Sequence, residues 1–383
     1  MNVNVRTVDP LATAAPIGLS APYVDQAEER AVLEVIRSGR LALGPMTERF
    51  ERGLAERVGA RCVAAVSSGT AGLHLCVKLA GIESGDEVVT TPLSFIASAN
   101  AILYEGGMPV FVDVDEQTLN INLAAVEAAI TPRTKALCLV DLFGYPLEYD
   151  ELIAIAGRHD LAIVEDACEA LGSTYRGRPV GSFGHPAVFA FYPNKQMTTG
   201  EGGAVALGSE EEWAFVKALA NQGRTDHGDT FVHEHVGFNY RLDELSAALG
   251  VAQLDKLDRI LALRAEVAAR YDALLADVEG VRLLCPDDDV HHRSWFVYVV
   301  FVQPPTEREA VIASLAAEGV ASKPYIPAIH LQPAYRTRFG FVPGTFPVAE
   351  AAGSRGLALP FHTGLAAEDQ ERVVTALVRA LTT

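Results

Sequence analysis

Between residues 60 and 210, short apolar runs alternate with helix-like stretches, and nothing else in this chain restricts its possible folds as strongly. The runs predicted as strands are Cys62-Val66, Glu87-Thr90, Pro109-Val112, Ala136-Val140, Ala162-Val164, Val188-Phe191 and Ala204-Leu207. Several are rich in Val or Ile and apolar on both faces, the pattern of strands covered by helices above and below. Helical spacing is found in the segments between most of them: Ala71-Ala80, Ser94-Leu103, Leu123-Ile130 and Leu147-His159. Such alternation predicts an α/β fold with a mostly parallel central sheet flanked by helices. After residue 240 the texture changes. Asp243-Leu275 predicts a long helix or a pair, Val281-Leu284, Trp295-Val302 and Ala321-Pro324 predict strands, and Glu307-Glu318 and Ala367-Leu381 predict helices. The Pro-, Tyr- and Phe-rich loop Pro324-Pro347 is expected to be ordered, since disordered linkers carry few aromatics. The expected division is a large α/β domain over 17-250 and a smaller C-terminal α+β domain over 251-383.

Composition narrows the function classes. The chain has 383 residues, 49% hydrophobic and 21% charged, ordinary for a soluble globular protein. No apolar run approaches the ~18 residues of a membrane span. Met1-Ser20 has neither a basic start nor an apolar signal core, so a cytoplasmic location is expected. A net charge of -18 disfavours a nucleic-acid partner, which needs a basic face. An anionic small molecule remains compatible, because a few arginines or a helix N-terminus can hold phosphate. The five cysteines are odd in number and form no C-x-x-C pair, which predicts reduced core thiols.

The predicted strands end in polar residues: Ser67-Ser68, Thr90-Thr91, Asp113, Asp141 and Glu165-Asp166. In open α/β sheets a ligand sits beyond the carboxyl ends of the strands, so these residues are expected to face one crevice. Lys195 belongs to the same crevice, because it follows the run Ala187-Phe191 and precedes Thr198-Thr199-Gly200-Glu201-Gly202-Gly203. A lysine on a loop at a strand end reaches into a pocket, the placement that an aldehyde cofactor such as pyridoxal phosphate (PLP) needs for a Schiff base.

Three further elements suit that cofactor, each with a plainer reading beside it. Ser68-Gly69-Thr70 joins a strand to a helix start and forms either a phosphate cradle or a simple N-cap. Asp166 ends an apolar strand and would meet either a protonated pyridine nitrogen or a structural arginine. Phe95 would either cover a planar ring or fill core. Glu169, three residues past Asp166, would lie one helical turn away and reach the same ligand. Other signals fail. Gly200-Glu201-Gly202-Gly203 is not a dinucleotide fingerprint, no P-loop or G-x-S-x-G is present, and His233-Glu234-His235, His291-His292 and Asp287-Asp289 lack metal-ligand spacing, so no metal is expected.

Taken in order, Ser68-Gly69-Thr70, Phe95, Glu165-Asp166-Ala167, Lys195 with its Thr-Thr-Gly-Glu-Gly-Gly tail, and Gly237-Phe238-Asn239-Tyr240-Arg241 resemble the DegT/DnrJ/StrS family. Phe111-Val112-Asp113-Val114-Asp115, Ser38-Gly39-Arg40 and Ile329-His330-Leu331-Gln332-Pro333 extend the resemblance to about residues 17–378. It implies a PLP-dependent sugar aminotransferase of fold type I. Lys195 then resembles the Schiff-base lysine, Asp166 the partner of the pyridine nitrogen, Phe95 the stacking aromatic, and Gly69 and Thr70 the phosphate turn. Glu169 falls where the family often has Gln or His near the cofactor's phenolic oxygen. Asn239 resembles an asparagine that reaches the phosphate in the neighbouring subunit, which implies a homodimer with shared sites. Ala190 departs from the pattern, since the family commonly has a phosphate-contacting serine five residues before the lysine. Retention of Lys195 argues against the dehydratase branch, in which histidine replaces it.

The resemblance is strongest to the perosamine-synthase branch, through Asp-Ala-Cys-Glu-Ala around Glu169. It implies amination of a nucleotide-linked keto sugar, with glutamate as donor. Arg40, Arg241, Lys323, Tyr325 and His330 are the candidates for sugar or diphosphate contacts. A keto-cyclitol acceptor and a PLP-binding regulator without turnover are the alternatives.

Overall fold

A computed structural model describes residues 15–227 and 230–382. The reading of Met1-Ser20 as free of a signal core therefore falls mostly outside the described residues. Seven strands form the main sheet, in the spatial order Cys62–Val66, Gly203–Leu207, Ala187–Ala190, Ala162–Asp166, Thr134–Val140, Glu87–Thr90 and Met108–Phe111. Gly203–Leu207 runs antiparallel to both neighbours, and the other pairings are parallel. All seven coincide with predicted runs to within two residues at each end. They are legible because burial on both faces selects apolar, β-branched residues along the whole strand.

Helices cover both faces of this sheet. Gly69–Leu79 is buried along most of its length and lies so close to the sheet that a Cβ on Gly72 would come 2.7 Å from Val188 Cγ1. The helix begins sharply because Ser68 Oγ accepts the Ala71 amide at 3.1 Å. Ala97–Tyr104 and Tyr149–His159 occupy predicted positions, while Leu123-Ile130 forms one short α turn followed by a 3-10 turn. Asp243-Leu275 resolves into a pair, Glu244–Leu254 and Leu257–Leu275.

A second sheet has the order Val281–Arg282, Tyr298–Val302, Gly356–Leu359 and Lys323–Pro324, every pairing antiparallel. Arg308–Ala317 and Ala367–Thr382 pack together on it. Ile17 is buried in the same core as Val300, Leu357 and Val373, so the first described residues pack on this second sheet. Between Pro324 and Pro347 the aromatic-rich segment forms a 3-10 turn, a short helix and a cluster of Tyr335, Phe339, Phe341 and Phe346 around Phe111. Among the described residues no helix is long and apolar enough to cross a membrane.

Candidate active site

Strand register brings the separate motifs together. Asp166 lies opposite Val188, Ala190 opposite Gly203, and Gly203 opposite Val66. The carboxyl ends of three strands thus meet, and the turn after Val66, the acid of Asp166 and the loop after Ala190 converge on one cavity. Its volume is about 470 Å³, and Gly69, Thr70, Phe95, Asp166, Glu169 and Lys195 all line it.

The lysine loop is pinned at several points. Phe191 N–H donates to Gly202 O, and Thr199 N–H and the Thr198 hydroxyl donate to Phe191 O, each at 3.0 Å. Gln196, buried beside the lysine, donates to Glu169 O at 2.6 Å and to Ser294 Oγ at 2.9 Å. Asn194 O accepts from Arg264 at 3.3 Å. Lys195 is left with its backbone held and its amine free to face the cavity. Its Nζ stands 3.5 Å from Glu169 Oε1 and 4.0 Å from the centre of the Phe296 ring. A desolvated ammonium needs such company, and here a carboxylate and an aromatic face supply it.

Glu169 does not sit on a helix, as its spacing from Asp166 suggested, but in a turn closed by Ala170 N–H to Ala167 O at 2.9 Å. It still reaches the cavity, and its Oε2 accepts the Phe143 amide at 2.9 Å. Burial pushes the Glu169 carboxyl above the usual range, while the Lys195 charge pulls it back. Burial, and then Glu169, push the Tyr325 hydroxyl well up, so it remains a proton donor at the cavity wall. Burial likewise holds Cys168 as a neutral thiol.

At the other end stands the turn. Ser68 spends its side chain on the N-cap, which leaves the amides of Gly69 and Thr70 without intrahelical acceptors. Two glycines let other atoms close in. A Cβ on Gly69 would stand 2.8 Å from Ala190 Cβ and 2.9 Å from Cys168 Sγ, and one on Gly203 would stand 2.5 Å from Ser68 C. A helix N-terminus, a facing amine, a buried acid and this volume fit PLP. Ala190 lies where a side-chain hydroxyl would join the turn. Ala190→Ser is therefore expected to tighten PLP binding about 2- to 12-fold, the worth of one net hydrogen bond. Fluorescence titration of the apoprotein measures it.

Not every predicted residue enters this cavity. Of the strand-end polar residues, Ser68 and Asp166 line it, and Ser67, Thr90-Thr91, Asp113, Asp141 and Glu165 do not. Asp113 accepts the amides of Val348 and Ala349 at 3.0 and 2.9 Å and so caps the helix Pro347–Arg355. Asp141 and Glu165 share the Tyr149 hydroxyl at 2.7 and 3.0 Å, and all three side chains are buried. Thr91 Oγ1 accepts the Leu93 amide.

Among the five sugar candidates Tyr325 alone lines the cavity. His330 is corrected outright: it is fully buried, bonds Glu350 at 2.9 Å and packs against Phe346, so it is a core histidine. Arg40 is turned to Leu43 O at 3.0 Å, and Lys323 is exposed on its strand. Arg241 bonds Asn221 and Gln222 at 2.8 and 2.7 Å and lines a separate cavity of about 430 Å³ with Trp213 and Lys217. Asn239 bridges to Asn221 and does not reach the cavity of its own chain. Sequence reading missed Phe296, which comes from the distant second-sheet region, and Ser98, a hydroxyl among apolar neighbours in the helix Ala97–Tyr104. The latter carries a readable signal, a polar residue on a buried helical face.

Comparison with known proteins agrees with this geometry. The family model for DegT/DnrJ/EryC1/StrS aminotransferases matches residues 22–378. GDP-perosamine synthase of Caulobacter vibrioides is 39% identical over 369 residues, covering 95% of this chain and 98% of that protein. DesV of S. venezuelae, solved in complex with a ketimine intermediate, superposes with a TM-score of 0.90 at 33% identity, covering 97% of this chain and 100% of the other. Spr1654 of Streptococcus pneumoniae in its PLP form gives a TM-score of 0.91 at 28% identity, over 96% and 99% of the two chains. With a lysine, an acid and a helix N-terminus around one cavity, and with this likeness along nearly its whole length, the chain belongs to the DegT/DnrJ/EryC1/StrS family and is a PLP-dependent aminotransferase.

Proposed function

We propose that this enzyme moves an amino group from an amino-acid donor, glutamate by family habit, to the C4 ketone of a nucleotide-linked 6-deoxy keto sugar. The observation that carries the reading is the 39% identity to a GDP-perosamine synthase across 95% of the chain. Bound PLP supplies the carrier for the amino group and the sink for the negative charge that develops at the donor's Cα. Lys195 binds the cofactor and, once freed, moves the proton at the donor's Cα as a positioned acid and base. Asp166 would hold the ring nitrogen, the amides of Gly69 and Thr70 would hold the phosphate, and Phe95 would cover the ring. Glu169 would meet the cofactor's phenolic oxygen, and Tyr325, in the same cavity wall, would contact the sugar or its diphosphate.

The same reading includes a homodimer with shared sites. The cavity mouth supports it, since Phe95 and Tyr192 are 60% and 53% exposed in the single chain. Asn239 supports it too, because it would serve a neighbour's cavity and not its own. In the test, the protein is incubated with PLP, glutamate and, separately, a nucleotide 4-keto sugar, a nucleotide 3-keto sugar and a keto-cyclitol. Product mass is then followed. Conversion of the 4-keto sugar is the expected result, and exclusive conversion of the cyclitol overturns the reading.

A further inference from the structure

Asp166 has two hydrogen-bond donors of its own. Cys168 N–H reaches Oδ1 at 3.2 Å, and the Ser98 hydroxyl reaches Oδ2 at 2.5 Å. Ser98 lies on the helix Ala97–Tyr104 and is fully buried, while Asp166 is 5% exposed. A helical serine ordinarily returns its proton to a carbonyl of the preceding turn. That acceptor exists here, Phe95 O, but at 3.3 Å it is the longer contact. An O–H···O⁻ bond near 2.5 Å is in the charge-assisted range and is the stronger of the two, so the single Ser98 proton goes to Asp166. Ser98 Oγ is then free to accept from Ser94, whose hydroxyl is 3.0 Å away and whose residue lines the cavity. A chain of two hydroxyls thus ends on the carboxylate.

We propose that Ser98 is the positioning residue for Asp166, fixing the rotation of its carboxylate so that PLP meets a preset oxygen. A carboxylate at the end of a strand can rotate about its last bond, and the Cys168 amide holds only one oxygen. The hydroxyl from a different element supplies the second point and removes that freedom before the cofactor arrives. The proposal rests on the reading that Asp166 meets the ring nitrogen.

A double-mutant cycle on PLP affinity tests both separately. Apoprotein is prepared as wild type, Ser98→Ala, Asp166→Asn and the double variant. PLP dissociation constants are read by fluorescence, with apoprotein unfolding midpoints as the control for folding. Ser98→Ala is expected to weaken PLP binding by about tenfold to a hundredfold, the range for a hydrogen bond to a charged group. In the Asp166→Asn background the same change is expected to cost about twofold or less, because the two residues act as a unit. An equal loss in both backgrounds, or no loss in either, overturns the proposal. If Asp166→Asn by itself leaves affinity unchanged, the assignment of Asp166 to the ring nitrogen fails and the proposal falls with it. The circular dichroism of the bound cofactor, which reports its orientation, is expected to change in Ser98→Ala and not in a merely destabilised protein.

Discussion

Lys195→Ala abolishes amino transfer and removes the absorbance band of lysine-bound cofactor, while the protein stays folded. Among the described residues no other lysine lines the cavity, so none of them can take over the covalent attachment. The proton-transfer role alone is worth about 10²- to 10⁴-fold in rate, and loss of covalent attachment adds to it. Folding survives because the bonds that pin the loop are made by Phe191, Thr198, Thr199 and Gln196, not by the lysine amine. What the substitution removes is the 3.5 Å contact with Glu169 and the contact with the Phe296 ring. Glu169 then loses the charge that opposed its burial, and its carboxyl moves further up. Absorbance titration with PLP and single-turnover assays with glutamate check the result. An unchanged spectrum would show that another group binds the cofactor.

Asp166→Asn lowers kcat/KM by about 10²- to 10³-fold, the cost of breaking a buried charged pair. The amide keeps the shape of the side chain, so packing is conserved and the loss reports the charge together with one hydrogen bond. Its carbonyl can still accept one of the two donors, Ser98 or the Cys168 amide. Cofactor attachment persists through Lys195, in contrast to Lys195→Ala. The two variants therefore separate attachment from electronic control: one loses the band, the other keeps a band and loses rate. Steady-state kinetics beside absorbance spectra of the same preparations decide it. Wild-type kcat/KM in Asp166→Asn would assign the acid to structure alone.

Much of the fold was legible because burial leaves a local signature. Several main-sheet strands are apolar on both faces, and Ser68 before Gly69 marks a helix start through its capping chemistry. The site was legible where chemistry demands one residue type at one place, as with Lys195 after a strand and Asp166 at a strand end. Legibility failed where a polar residue had two possible uses. Asp113 and Asp166 look alike at the ends of their strands, yet one caps a helix and the other lines the cavity. His330 looks like a binding residue in its motif, and its burial against Glu350 makes it a core residue. The strands Cys62–Val66 and Gly203–Leu207 carry no mark of being neighbours, although that pairing sets Gly203 against the Ser68-Gly69 turn.

The amino-acid sequence by itself determined the alternation of strands and helices and the family, and it singled out Lys195 as a cavity residue. These depend on local patterning and on residue identity, which are properties of the chain. Tertiary structure alone decided which polar strand ends face the cavity, that Phe296 lies beneath the Lys195 amine, and that Ser98 holds Asp166. Those outcomes depend on strand order, register and the packing of a helix onto a sheet. Contacts between segments far apart in the chain set all three, and no local pattern encodes them.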